Sequence, residues 1–358
     1  MNVLQLTSAE YLGGGERHLV DLVRGLEAHG HAAYVGLAPG AALRERLDFL
    51  PSERVAEFPM RGSIDYVTAR RIAQFAKANK VDIIHAHVAR DYLIAAMASS
   101  RTDIPFVITR HVLFPMSRLH KIFLRKVAAV IAPSNAVAAS LLNQGIFAQN
   151  KLVTVRHGLD PAAYPTCEAA KRHSFVVGSV GNLDPVKGFD VLMRAAKKVS
   201  QRSSDVRFEI SGEDRSPGKE TERDLRKLVS DLGLEQTVKF SGWSDDIKKT
   251  ISGFDVFVSA SRSESFGYAI ADAMLLQTPV IATATEGAKE IISNESVGLI
   301  VPLESDEALA GAILRLLDDP DRRATIGESA RKHIAEHFSI SRMITETEAV
   351  YSRAVPGR

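Results

Sequence analysis

Short, unbroken apolar runs separated by longer amphipathic stretches recur almost from end to end of this 358-residue chain. VLQLT (Val3 to Thr7), AYVGLA (Ala33 to Ala38), VDIIHA (Val81 to Ala86), PFVIT (Pro105 to Thr109), VAAVIA (Val127 to Ala132) and LVTV (Leu152 to Val155) make a first series. FVVGSVG (Phe175 to Gly181), VRFEISG (Val206 to Gly212), TVKFSG (Thr237 to Gly242), FDVFVSA (Phe254 to Ala260), PVIAT (Pro279 to Thr283) and GLIVP (Gly298 to Pro302) make a second. Runs without polar alternation predict strands buried on both faces, as in a parallel sheet covered by helices. The stretches between them have helical spacing. In ERHLVDLVRGLEAH, Leu19, Leu22, Val23 and Leu26 share one face and Gly30 follows as a stop. DYVTARRIAQFAKAN (Asp65 to Asn79) is a second such helix. HGLDPAAYPTCEAAKR (His157 to Arg172) has two prolines and no periodicity, and reads as a linker. The pattern predicts an α/β chain of two doubly wound, Rossmann-like domains, residues 1–165 and 166–358, facing a central crevice that holds the ligand. No strand is expected after Pro302, so the second domain should end in a helical tail.

Composition changes the picture in two places. The formal net charge is only +2, but residues 1–160 carry +6 and the remainder −4. An anionic partner is therefore expected on the first half. Aromatic residues make up 6% with a single Trp, too few for a base-stacking surface, so nucleic acid is not the expected partner. The one cysteine, Cys167, excludes an internal disulfide and a cysteine-based metal cluster, and fits a reducing compartment. No apolar run has the length of a membrane span, and the chain opens on a strand rather than a signal peptide, so a cytoplasmic protein is expected.

Five segments carry candidate chemistry. In SRSESFGYAIADAM (Ser261 to Met274), a strand leads into an acidic turn with Glu264, then Phe266-Gly267, then a helix bearing Asp272. At a strand's carboxyl end this order offers backbone N–H groups at a helix start, with carboxylates to accept from sugar hydroxyls. The competing reading is an acidic turn ahead of a buried helix. In EYLGGGERH, Gly13, Gly14 and Gly15 allow a charged group close to the backbone, or simply make a tight turn. They lack the dinucleotide-binding spacing. In GNLDPVKG (Gly181 to Gly188), Lys187 stands at the mouth of a helix, either as a point charge for a diphosphate or as a solvated surface lysine. In HAHVARD (His85 to Asp91), the two histidines are expected on opposite sides of the strand, one structural and the other, His87, lining the crevice, or else both structural. No shared metal is expected there. FPMSRLHKIFLRKV (Phe114 to Val127) reads as a basic amphipathic helix for an anionic membrane surface, or as an ordinary solvated one.

Taken together, GGGERH, HAH, APSNAV (Ala132 to Val137), VRHGLD (Val155 to Asp160), GNLDPVKG, SESFGYAIADAM, EGAKEI (Glu286 to Ile291) and VGLIVP resemble, in order and spacing, the retaining nucleotide-sugar glycosyltransferases of family 4. The resemblance implies the GT-B fold and transfer of a sugar from a nucleoside-diphosphate sugar, with UDP or GDP as the carrier, to a glycan or lipid-linked hydroxyl acceptor. A lipopolysaccharide core is one such acceptor; the basic segment Phe114 to Val127 would place the enzyme peripherally on the inner membrane face. It implies that Glu264 contacts the donor sugar beside the Phe266-Gly267 backbone. The glycine loop and Lys187 would hold the diphosphate, and His87 would line the reaction centre. Retention of configuration follows from the resemblance as well. The chain departs from the pattern at Asp272, where a longer glutamate usually binds the ribose, and at Asn182, where an arginine is usual. Arg110 is a candidate to restore that lost charge. His157 replaces an asparagine without a clear consequence. No cofactor or metal is expected, the chain being read as free of an Asp-x-Asp motif. Alternatives are a sugar-nucleotide epimerase of the same fold and a sugar-nucleotide or glycan-binding protein whose catalytic site has drifted.

Overall fold

The computed structural model describes residues 1–165 and 174–355; Cys167 and the second half of the expected linker lie outside them. The first seven strands are β1 (Asn2–Thr7), β2 (Ala32–Leu37), β3 (Val55–Glu57), β4 (Ile83–Ala86), β5 (Phe106–Thr109), β6 (Ala129–Ala132) and β7 (Leu152–Thr154). They form one parallel sheet in the order β3-β2-β1-β4-β5-β6-β7. The next six are β8 (Phe175–Val180), β9 (Val206–Ser211), β10 (Val238–Gly242), β11 (Val256–Ser259), β12 (Val280–Thr283) and β13 (Leu299–Val301). Their parallel sheet runs β10-β9-β8-β11-β12-β13. The two doubly wound α/β sheets expected from the sequence are both present.

The reason for the unbroken apolar runs is visible in β1. Leu4 and Leu6 pack with Ile84, Ala86 and Ile108 on one face. Val3, pointing the other way, packs with Ile83 and Val107. Both faces are covered, so apolar residues stand at both sets of alternating positions, with Gln5 and Thr7 buried as polar exceptions on the Val3 side. The edge strand β3 was not foreseen: it is three residues long, only partly buried, and preceded by a polar 3₁₀ turn at Ser52–Arg54. The helix Tyr66–Ala78 begins where the pattern placed it, because Asp65 accepts from the Thr68 amide at 2.9 Å.

The chain divides into two compact units, Met1–Leu159 with Phe338–Arg358, and Asp160–His337. This differs from the expected 1–165 and 166–358. The tail does not stay with the second domain. Leu159 bridges to Ser339, and the helix Ile340–Ala354 then buries Met343, Ile344, Val350 and Tyr351 beside Leu22, Leu26 and Ile83 of the first unit. Gly25 lies under Ile344, and a Cβ at that position would collide with the isoleucine side chain.

The segment Phe114 to Val127 also corrects its expectation. Only His120–Phe123 is helical, a single turn, and the remainder is turn and loop. Leu124 and Val127 are drawn into the core, which breaks the stripe a longer amphipathic helix needs. No helix among the described residues is long and apolar enough to cross a membrane.

Candidate functional site

In each sheet the chain reverses its direction of travel beside its first strand, between β1 and β4 and between β8 and β11. The loops leaving the carboxyl ends of such a pair diverge and open a ligand site. The sequence candidates fall on these loops: Gly13 to Gly15 and His87 in the first unit, Asn182, Lys187 and Glu264 in the second.

In the first unit Gly13 is the N-cap of the helix Gly14–Ala28, in extended backbone with φ −149°. None of the three glycines has a positive φ, so the run is not demanded by a left-handed turn. Gly13 and Gly14 are exposed at a helix start, but the Glu16 carboxylate folds back over Gly13 and accepts from its backbone. Gly15 packs on His111, whose ring would lie 3.5 Å from a Cβ placed there.

His85 and His87 are on the same side of β4, not opposite sides, with ring centroids 4.2 Å apart. Residues two apart in a strand share a face; the expectation broke that rule. His85 is fully buried and bonded to Tyr351 Oη and Thr109 Oγ1, each at 2.7 Å. His87 is also buried, its Nε2 2.7 Å from Gln5 Oε1 and its Nδ1 3.2 Å from His111 Nε2. His18 and His157 complete the group, Nδ1 to Nδ1 at 2.8 Å. His157 therefore belongs to this cluster and not to a linker. Burial disfavours the charged form of every ring, and neighbouring positive charges add to it. His85 falls to about 3 and His111 to about 4, with His18, His87 and His157 well below the ordinary value.

Arg110 is 6% exposed and donates through Nη2 to the Phe114 carbonyl at 2.6 Å, which anchors the start of the basic segment. Asp91 is buried, accepts from the Ser8 amide at 2.7 Å, and is pushed up to about 6 by burial.

In the second unit, Asp184 accepts from the Val186 amide at 2.8 Å and sets a 3₁₀ turn that ends at Lys187. Gly188 follows with φ 63°, and a Cβ there would strike the Ala260 carbonyl oxygen. Only glycine lets this turn lie against the end of β11. Lys187 thus reaches Glu264 directly, Nζ to Oε1 at 2.6 Å, and Ser261 Oγ donates to the same oxygen at 2.8 Å. Phe266 is 2% exposed, and Gly267, at φ 104°, opens the helix Tyr268–Leu275. Asn182 is exposed on the same turn as Lys187. The expected absence of an Asp-x-Asp motif is corrected by Asp319-Pro320-Asp321, where Asp319 caps the Arg322 amide at 2.9 Å at the start of a helix.

Two family models cover most of the sequence: Glycosyltransferase Family 4 matches residues 12–163 and Glycosyl transferases group 1 matches residues 168–333. The chain belongs to these GT-B glycosyltransferases. A D-inositol 3-phosphate glycosyltransferase of Corynebacterium aurimucosum is 28% identical over 308 residues, 76% of this chain and 72% of that one. The lipopolysaccharide core biosynthesis mannosyltransferase LpcC of Rhizobium leguminosarum is 28% identical over 65% of this chain and 66% of its own length. Among solved structures, Anabaena HepE in complex with UDP and glucose is 25% identical with a TM-score of 0.85, covering 98% of this chain and 99% of that one.

Within this glycosyltransferase the departure at Asp272 has a structural partner. The carboxylate is 2% exposed and takes the Tyr164 hydroxyl at 2.5 Å on Oδ1. Asp272 thus lies on the inner side of its helix, held by that hydroxyl. Sequence reasoning also missed His18, His111 and His157. A signal was there: His85, His87, His111 and His157 all fall at or just beyond the carboxyl ends of β4, β5 and β7.

Proposed function

We propose that this glycosyltransferase moves a sugar, with retention of configuration, from a nucleoside-diphosphate sugar to a hydroxyl of a cell-envelope glycan or lipid-linked acceptor, without a metal in the transfer step. The observation that carries the reading is the Lys187–Glu264 pair, 2.6 Å apart at the switch point of the second sheet. Breaking the bond from the anomeric carbon to the diphosphate builds negative charge on the leaving oxygen. Lys187 supplies a fixed positive charge for it, and Glu264 accepts from the sugar's hydroxyls. The sequence offers no convincing protein nucleophile for a double displacement, so departure and attack on the same face, assisted by the leaving phosphate, is the mechanism preferred. His87 is assigned to the reaction centre from the resemblance to family 4.

The solved complex of HepE with UDP and glucose supports a uridine carrier as the first to test. The relatives named for inositol phosphate and for lipopolysaccharide core support a polyol or glycan hydroxyl as acceptor. Membrane contact is part of the proposal. Phe114, Leu119, Ile122 and Phe123 are more than half exposed, and Arg118, Lys121, Arg125 and Lys126 are exposed among them. Apolar side chains interleaved with cations suit an anionic lipid surface even without a long helix.

Thermal shift against UDP-, GDP- and ADP-sugars identifies the carrier, since a ligand bound only to the folded state raises its apparent stability. Transfer to an added acceptor, with the product's anomeric configuration read by NMR, then tests the reaction. The buried Asp272 and the neutral Asn182 favour one second reading, a binding protein that has lost catalysis. Donor binding without any transfer would establish that reading, and epimerised donor without acceptor would establish an epimerase.

A further inference from the structure

The histidine cluster of the first unit includes His87, assigned above to the reaction centre, but its other members have no part in the transfer step, whose donor residues Lys187 and Glu264 lie in the other unit. One ring nitrogen from each of His18, His87 and His111 lies within 4.8 Å of the other two. We propose that these three imidazoles form a binding site for a borderline-soft divalent metal ion of the zinc type.

Three features of the geometry carry this. The first is spacing. Zinc–imidazole bonds of roughly 2.0–2.1 Å in tetrahedral geometry place neighbouring ligand nitrogens about 3.3 Å apart. His87 Nδ1 and His111 Nε2 are already 3.2 Å apart. His18 closes the set from the helix Gly14–Ala28, its ring centroid 5.1 Å from that of His111.

The second is tautomer control. Gln5 donates its amide N–H to Tyr351 Oη at 3.1 Å, which turns its carbonyl oxygen toward His87 Nε2 at 2.7 Å. His87 must then carry its proton on Nε2 and keep the Nδ1 lone pair for a ligand. An outer hydrogen bond of this kind orients metal-ligating histidines and raises their basicity. His18 is held similarly. If it donates Nδ1–H to His157 across 2.8 Å, its Nε2 keeps the lone pair.

The third is that hydrogen bonding alone does not close the cluster. His111 Nδ1 is buried and, among the described residues, has no hydrogen-bond partner. To bind a metal through Nε2, His111 has only to move its proton from Nε2, where it bonds His87 Nδ1, to the unpartnered Nδ1. The opposing charge is Arg110, next to His111, which disfavours a bare dication. Three neutral ligands leave a fourth position open. A hydroxide or an anionic oxygen there offsets part of that repulsion. Magnesium and calcium prefer oxygen ligands and do not suit this set.

Co²⁺ titration of the full-length chain, free of any polyhistidine tag, tests the site. One equivalent is expected to produce the visible d–d bands of a tetrahedral centre, discharged by Zn²⁺ and untouched by Mg²⁺. His18→Ala and His111→Ala are each expected to weaken binding tenfold or more. The surface variants His29→Ala and His337→Ala are expected to bind as the parent does. Absence of the bands, equal affinity in the cluster variants, or loss of binding in the surface variants overturns the proposal. Because removing a buried imidazole can unfold the unit, zinc-edge X-ray absorption on the unmodified protein gives an independent reading. A shell of three imidazoles supports the site, and a shell of oxygens overturns it.

Discussion

At the scale of single residues, the second unit's site depends on side chains that a sequence names but cannot connect. Glu264 and Lys187 are 77 positions apart, and it is Gly188 at φ 63° that folds the lysine turn against the end of β11. Lys187→Ala and Glu264→Gln are each expected to lower donor turnover by about 100-fold or more, the usual effect of removing one preorganised charge or hydrogen-bonding group. Initial rates with the donor found by thermal shift measure this. Unchanged rates in both variants would remove the pair from the donor site. Asp272 was legible as a departure, yet its partner was not, because Tyr164 precedes it by 108 positions. Tyr164→Phe strips a donor from a buried carboxylate and is expected to cost about 1–3 kcal/mol in urea unfolding. A midpoint equal to the parent's would show that the contact contributes nothing.

At the scale of elements, twelve of the thirteen described strands were legible to within about two residues at each end, because a strand covered on both faces is mostly apolar. The short, half-exposed edge strand β3 was not. The candidate residues' place beyond the strands' carboxyl ends was legible too, because they follow the apolar runs directly in the sequence. The segment 114–127 shows the limit. Its charges and apolar residues were read correctly, but helical periodicity over so short a stretch does not reveal that Leu124 and Val127 are claimed by the core. The lipid prediction therefore moves from a helix face to the exposed tips. Ile122→Glu combined with Phe123→Glu is expected to abolish co-sedimentation with anionic vesicles, and salt to weaken it in the parent; equal recovery on neutral vesicles would sink the idea. A second element-level device joins the helix Phe189–Ser200 to the loop after β11. Burial pushes Asp190 up, but hydrogen bonds from Arg262 and Arg194 outweigh it and hold the carboxyl at about 2. A carboxyl depressed in the folded state stabilises above its unfolded pKa of about 4, and that contribution is lost as the pH falls toward about 2. The stability difference between the parent and Arg262→Met should thus be full at neutral pH and shrink across that window. A difference independent of pH would show that Asp190 is not the group concerned.

At the scale of the whole molecule, the first unit is completed by the end of the chain. The helix Ile340–Ala354 covers Leu22, Leu26 and Ile83, and Tyr351 supplies the hydroxyl between Gln5 and His85. Gly25→Leu drives a side chain into Ile344 and is expected to destabilise this unit by about 1–3 kcal/mol, read as earlier urea unfolding. An unchanged midpoint would mean that the tail helix shifts aside freely. The hydrophobic pattern by itself determined two parallel α/β sheets and the loops that carry the candidate site, because strand burial and the strand-to-helix turn are written in local spacing. Only the tertiary structure decided that the tail returns to the first unit. Apolar periodicity says that a helix face is buried, but not against which partner. It alone gathered His18, His87, His111 and His157 as well, since they arrive from separate strand ends and one helix. No local pattern encodes the distance between them.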